Sequence, residues 1–180
     1  MAQLSSRRVY TGRIISLDID TVRFPNGSTG DLEIIRHPGA SAVVPFLGNP
    51  AGEDPQILLL KQYRYAAGDF LYEIPAGRLD SGEEPVDCAR RELVEETGCE
   101  AERMEHLCTF YTTPGFTDEK IHAFMAVGLT RGESRHETDE FITVETMTLS
   151  HALGLIEKGA IKDAKTALSI LCAAGFKVGR

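Results

Sequence analysis

Short apolar segments separated by Gly- and Pro-containing turns dominate the chain, and most have the length of a β-strand. Alternation of apolar and polar positions, or a continuous apolar run bounded by turn residues, is typical of strands. The pattern predicts strands at Val9–Ile19, Thr21–Phe24, Leu32–Arg36, Ser41–Leu47, Gln56–Tyr63, Asp69–Ile74, Ala101–Thr112, Lys120–Leu129 and Phe141–Met147. A turn is expected at residues 25–27, Pro-Asn-Gly, between the second and third of them.

Three segments have helical rather than strand-like spacing. Pro85 suits the first turn of a helix that reaches Thr97, and Gly98 suits its C-terminal end. Ser150 is expected to cap a second helix ending near residue 159, and Asp163 a third ending near residue 174. Helices distributed among these strands predict an α+β fold, with helices flanking a mixed sheet.

Length, charge and cysteine usage restrict the class of protein. A chain of 180 residues with a net charge of −8 suits one domain and argues against nonspecific binding to nucleic acid or a membrane surface. No apolar stretch reaches the roughly 20 residues that span a bilayer, and the first residues lack the apolar centre of a signal peptide. The cysteines, Cys88, Cys99, Cys108 and Cys172, show no CxxC pairing. Free thiols in a reducing cytoplasm are therefore expected.

A cluster of carboxylates marks the first helix as the candidate site. Glu92 and Glu96 lie one helical turn apart and share a face, and Glu95 lies on the arc between them. Like charges at this spacing weaken a helix, so we expect the cluster to be compensated by a bound positive charge. Carboxylate oxygens suit hard divalent cations, so the pattern predicts a site for Mg²⁺, or alternatively Mn²⁺. The competing interpretation is a solvated acidic helix with an Arg91–Glu95 surface pair.

The segment from residue 77 to residue 99, GRLDSGEEPVDCARRELVEETGC, resembles the Nudix box of the Nudix hydrolases. Its fixed positions are filled by Gly77, Glu83, Arg91, Glu92, Leu93, Glu95, Glu96 and Gly98, with Cys99 at the final apolar position. The resemblance implies an α/β/α sandwich that hydrolyses a diphosphate linked to another group. It also divides the chain into an N-terminal strand region at 1–40, which would form an antiparallel sheet, and a Nudix core at 41–180.

The same resemblance assigns roles around the box. Glu92, Glu96 and the carbonyl oxygen of Ala76 would hold the metal. Arg91 is one turn from Glu95 and is placed to hold a carboxylate in position. Both Arg91 and Glu95 are candidate catalytic residues. The family also needs a residue that activates or orients water. For that role Glu140, directly before the last strand, matches better than Glu137.

Three features outside the box resemble ADP-ribose pyrophosphatases of the family. Arg64 ends an apolar strand, where its planar guanidinium is suited to bind a phosphate through two hydrogen bonds. Glu73 precedes the box and is a candidate acceptor for a base edge or a sugar hydroxyl. Pro114 lies 16 residues after Gly98, at the position of a subfamily marker. They imply Mg²⁺-dependent hydrolysis of ADP-ribose to AMP and ribose 5-phosphate.

Two alternatives remain open at this stage. The same layout serves hydrolases of other nucleoside diphosphate sugars such as GDP-mannose, because base edges differ only in donors and acceptors. Some Nudix domains are noncatalytic ligand-binding modules, although the intact set of three glutamates argues against that role here. The subfamily resemblance further implies a homodimer in which the strand-rich residues 8–35 cross to a second subunit, so that two chains build each substrate pocket.

Overall fold

The structure is a computed structural model that describes residues 1–132 and 142–175. In this part of the chain it contains ten strands and three helices. The strands are β1 (Ala2–Thr11), β2 (Ser16–Arg23), β3 (Thr29–Arg36), β4 (Ala40–Leu47), β5 (Gln56–Arg64), β6 (Asp69–Glu73), β7 (Ala76–Arg78), β8 (Cys99–Tyr111), β9 (Lys120–Arg131) and β10 (Ile142–Thr148). The helices are α1 (Pro85–Thr97), α2 (Leu149–Glu157) and α3 (Ala164–Ala173).

The strands form two sheets. The first is antiparallel, in the order β1-β2-β3. The second has seven strands, with β10-β5-β4-β9-β8 as its main path, β6 beside β5 and β7 beside β4. Its β4–β9 pair is parallel and its other pairs are antiparallel, so this sheet is mixed.

Helices cover both faces of the mixed sheet because successive residues of a strand point to opposite sides. On β4, Val43 packs with Leu93 of α1, whereas Val44 packs in a second cluster with Ile170 of α3 and Ala152 of α2. All five side chains are fully buried. The predicted α+β fold with helices flanking a mixed sheet is confirmed.

The N-terminal strands differ from the sequence prediction. A single strand at Val9–Ile19 was wrong, because a turn divides it into β1 and β2, and the amide of Gly12 donates to the carbonyl of Ile15 at 2.8 Å. The turn contains Ile14, which is 54% exposed. Two consecutive isoleucines continued the apolar pattern and concealed the turn. The expected turn before β3 is present, with Gly27 at a φ of 85°.

The ends of two helices are as predicted and one is not. Pro85 begins α1 and Gly98 ends it in the left-handed conformation, with a φ of 68°. Asp163 caps α3 by accepting from the amide of Thr166. The cap of α2 is Thr148 rather than Ser150, whose amide and hydroxyl instead donate to Asp54. Thr148 is both the last residue of β10 and the cap of α2, so the strand leads directly into the helix.

The connections of the fold bring the first sheet close to the second. The amide of Ile35 in β3 donates to the carbonyl of Phe116, in the loop between β8 and β9, at 2.8 Å. Only three residues connect the end of β3 to the start of β4. The division into regions 1–40 and 41–180 remains a prediction. Among the described helices, none combines the length and apolar character needed to cross a membrane.

Candidate active site

The carboxylates of α1 face the short strand β7. Glu96 is 3% exposed and Glu92 is 9% exposed, which is unusual for carboxylic side chains of a helix. The amide of Ala76 donates to Oε2 of Glu96 at 2.9 Å, which fixes that carboxylate beside the start of β7. Burying two carboxylates on one face is costly unless cationic or hydrogen-bonding partners compensate.

Gly77 gives Glu92 the space that it occupies. A Cβ atom at residue 77 would overlap the carboxylate carbon and both carboxylate oxygens of Glu92. The φ angle of Gly77 is not in the left-handed region, so steric access rather than backbone conformation requires glycine here. The carboxylate therefore lies directly against the backbone of β7.

Arg91 connects the remaining carboxylates of the box. Its guanidinium donates twice to Glu83, at 2.9 and 3.0 Å, and its Nη1 atom donates to both Glu92 and Glu95. Nη2 also reaches the carbonyl of Arg78 at 3.1 Å, so the same side chain holds the end of β7. The Arg91 guanidinium therefore links the loop before α1, the helix itself and β7 through hydrogen bonds.

Charge pairing sets the protonation of this network. The two bonds from Arg91 hold the pKa of Glu83 at about 2, well below its ordinary value of 4.5. The same bonds to Glu83 raise the pKa of Arg91. Glu83 is thus an anion at any physiological pH, and its charge stabilises Arg91 in its position.

We expect this pairing to make folding stability depend on pH. The folded-state pKa of Glu83 lies below the unfolded value, so its contribution is present above about pH 4.5 and is lost as the pH falls toward 2. Thermal melts of the wild type and of Glu83→Gln should therefore differ at pH 7, and the difference should shrink between about pH 5 and 2. A difference independent of pH in that range would contradict the assignment, and Glu100→Gln, at an exposed position, is the control.

The donor set fits a hard divalent cation. The predicted ligands are two carboxylates and one backbone carbonyl, all of them oxygen donors of the kind that Mg²⁺ and Mn²⁺ prefer. Within residues 1–132 and 142–175, no three His, Cys, Asp or Glu side chains form a ready-made metal group. A site completed by the carbonyl of Ala76 does not need three such side chains, and Glu92 and Glu96 both lie against β7.

Arg64 and Glu73 form a second charged cluster next to the first. Arg64 donates from Nε and Nη2 to the two oxygens of Glu73, at 2.7 and 2.8 Å. Lys165 of α3 donates to the same carboxylate. Burial alone would raise the pKa of Glu73, but the bonds from these two cations outweigh it and the pKa lies below its ordinary value. Glu73 is consequently an ionised, buried partner of two cations.

Two adjoining cavities connect the clusters. The metal-side cavity, of about 540 Å³, is lined by Arg91, Glu92 and Glu95. The α3-side cavity, of about 660 Å³, is lined by Phe110, Tyr111 and Lys165. Both are also lined by Arg64, Ala76, Gly77 and Arg78. The two cavities therefore adjoin, with β7 and Arg64 as their shared wall.

Not every predicted residue lines these cavities. Glu96 accepts from the amide of Ala76 but is not among the residues that line either one. Pro114 is exposed in the loop between β8 and β9 and is not among the residues that line either cavity. Glu73 lies behind Arg64 and Lys165, so its access to a substrate hydroxyl remains a prediction. Glu140 and its alternative Glu137 lie outside the described residues.

The structure adds residues that the sequence did not place here. Arg13 and Ile14, in the turn between β1 and β2, line the metal-side cavity, and the carbonyl of Arg13 accepts from Arg78 at 2.9 Å. Asp163 and Lys165 line the α3-side cavity. The sequence carried only a weak signal for α3, because Asp163 was interpreted as a helix cap.

Comparisons with known proteins agree on the fold and the family. The sequence profile of the NUDIX domain matches residues 37–168. An ADP-ribose pyrophosphatase from Bacillus subtilis (strain 168) is 40% identical over 93% of this chain and 89% of its own length. A methanol dehydrogenase activator from Bacillus methanolicus is 41% identical, with the same coverage of both chains. A crystal structure described as an ADP compounds hydrolase aligns with a TM-score of 0.80 at 22% identity, over 96% of this chain and 91% of that one.

Proposed function

The chain belongs to the Nudix family, and on that basis we propose that it hydrolyses the diphosphate linkage of ADP-ribose, using Mg²⁺ and giving AMP and ribose 5-phosphate. The observation that carries the proposal is the shared wall of the two cavities. There Arg64 and Glu92 line the metal-side cavity, Arg64 also lines the α3-side cavity, and Glu96 is held beside β7 by the amide of Ala76. The cavity volumes, about 660 and 540 Å³, are in the range of small-molecule binding pockets. The similarity to an ADP-ribose pyrophosphatase over most of both chains supports this substrate.

The proposed role of each side chain follows from its charge. Glu92, Glu96 and the carbonyl of Ala76 would hold the divalent cation, which offsets the charge of the diphosphate and lowers the pKa of water. Arg91 keeps Glu92 and Glu95 in position from α1. Arg64 donates two of its five N–H groups to Glu73, and the others can donate to a phosphoryl oxygen.

The proton acceptor in this proposal is Glu140, with Glu137 as the alternative. Either would accept a proton from the attacking water or orient it, a role that contributes typically 10²–10⁴-fold. Both precede β10, which pairs with β5, the strand that carries Arg64. That pairing brings the start of β10 near the end of β5, where the proposed phosphate-binding arginine lies.

A panel of substrates tests the proposal directly. Purified protein is assayed with ADP-ribose, GDP-mannose and other nucleoside diphosphate sugars, with phosphate released by an added phosphatase, in Mg²⁺ and in EDTA. We expect the highest kcat/KM for ADP-ribose and no turnover in EDTA. A clear preference for GDP-mannose would replace the substrate. Binding without turnover of any of them would indicate a noncatalytic ligand-binding module.

We also propose a cytoplasmic homodimer. The outer strand β1 is exposed along its whole length, and it presents Leu4, Val9 and Tyr10 to solvent. Among the described residues it pairs only with β2, so its other edge has backbone groups available for a second chain. Light scattering should give twice the 19.7 kDa mass of one chain. A monomer at assay concentration would contradict the proposed dimer.

A further inference from the structure

Lys165 at the start of α3 lies in the wall of the α3-side cavity, in a position unusual for a lysine. Its side chain is 16% exposed, and its ammonium contacts Glu73 and, at 2.9 Å, Oδ2 of Asp163. Lysines are rarely buried to this extent unless they are paired. The pairing explains its burial, and the cavity gives it access to a ligand.

The number of donors leaves room for such a contact. A lysine ammonium has three N–H donors. In the contacts formed among the described residues, Glu73 accepts one and Asp163 accepts another. One donor therefore remains for an acceptor in the α3-side cavity, which Lys165 lines.

Lys165 is held rigidly relative to β7. Asp163 accepts from both the amide and the hydroxyl of Thr166, at 3.0 and 2.6 Å. The fully buried Thr166 hydroxyl in turn accepts from the amide of Ile74 at 2.9 Å. Ile74 precedes Ala76 by two residues, so a short chain of hydrogen bonds fixes the start of α3 against the strand that separates the two cavities.

We propose that Lys165 is a substrate-binding residue that donates to a phosphoryl oxygen of the nucleoside diphosphate sugar from the α3 side of the cavity. This inference rests on the proposed function. Arg64 and Lys165 share the buried carboxylate of Glu73, which presents the two cations side by side to the ligand. Glu73 acts in this arrangement as a positioning residue for both.

The test replaces the charge and keeps the length of the side chain. Lys165→Met, Lys165→Arg and the wild type are compared for ADP-ribose binding by calorimetry in EDTA, and for kcat and KM in Mg²⁺. We expect Lys165→Met to raise Kd and KM about tenfold or more, since a charge-assisted hydrogen bond is lost, with a smaller change in kcat. Lys165→Arg should recover part of the affinity. The matched control is Lys162→Met, which removes the same charge from an exposed position three residues away.

Three results would overturn the inference. Unchanged Kd and KM in Lys165→Met, with only a lower melting temperature, would show that the lysine serves solely as a counter-ion for Glu73. An equal loss in Lys162→Met would show a general effect of net charge. A wild-type protein that neither binds nor cleaves ADP-ribose would overturn the proposed function and this inference together, which distinguishes that failure from the first two.

Discussion

Replacing Glu96 by glutamine is expected to lower kcat/KM for ADP-ribose at least about 100-fold while the protein stays folded. Glutamine has nearly the same shape, and its side-chain oxygen can still accept from the amide of Ala76, as Glu96 does at 2.9 Å. The negative charge is lost, and with it the attraction for a divalent cation. Initial rates are measured at several Mg²⁺ concentrations, and circular dichroism checks that the variant remains folded.

Glu100→Gln is the matched control for this substitution, because it removes one carboxylate from an exposed position just after α1. It should retain wild-type activity. If Glu96→Gln keeps the wild-type rate and the wild-type dependence on Mg²⁺, Glu96 is not a metal ligand and the assignment of the site is wrong.

Gly77→Ala is expected to reduce activity by a similar amount through sterics alone. The new methyl group would overlap the Glu92 carboxylate, which must then leave its place against β7. A displacement of about 1 Å in a catalytic group can cost about 100-fold in rate. Steady-state kinetics of the variant, together with its affinity for Mn²⁺, would show whether the loss arises in metal binding.

The control for Gly77→Ala is Gly154→Ala in α2, where an added Cβ meets no atom within 4 Å. Alanine also favours a helix more than glycine does, so this variant should be fully active and slightly more stable. Wild-type activity and metal affinity in Gly77→Ala would mean that Glu92 need not lie against Gly77 in the working enzyme.

The sequence predicted the helix of the site well because its information is local. The spacing of Glu92 and Glu96, the proline at its first turn and Gly98 at its end all act within α1. Periodicity therefore identified both the helix and the face that carries the carboxylates. The contact of Glu92 with Gly77 could not be read from spacing, since it depends on how α1 packs against β7.

The contribution of α3 shows the opposite case. Lys165 is 92 residues from Glu73 in sequence, and only the packing of α3 beside β6 brings them together. Asp163 was correctly predicted as a cap, but a cap and a cavity wall look the same in a sequence. Likewise, the turn that places Arg13 at the metal-side cavity was hidden by the apolar residues that follow it.

The net charge of −8 also needed the structure for its interpretation. An acidic protein repels a polyanionic substrate at long range, yet the two cavities contain Arg64, Arg91 and Lys165. Each of these cations is paired with a carboxylate, and each has its orientation fixed by that pairing. Local cations and a bound divalent ion can dominate the field of a site whatever the charge of the whole chain.

Anomalous diffraction from crystals grown with Mn²⁺ and a nonhydrolysable ADP-ribose analogue would locate the metal itself. We expect a manganese peak coordinated by oxygens of Glu92, Glu96 and the carbonyl of Ala76, with the diphosphate against Arg64. A manganese peak elsewhere, or none while the analogue is bound, would contradict the proposed metal site.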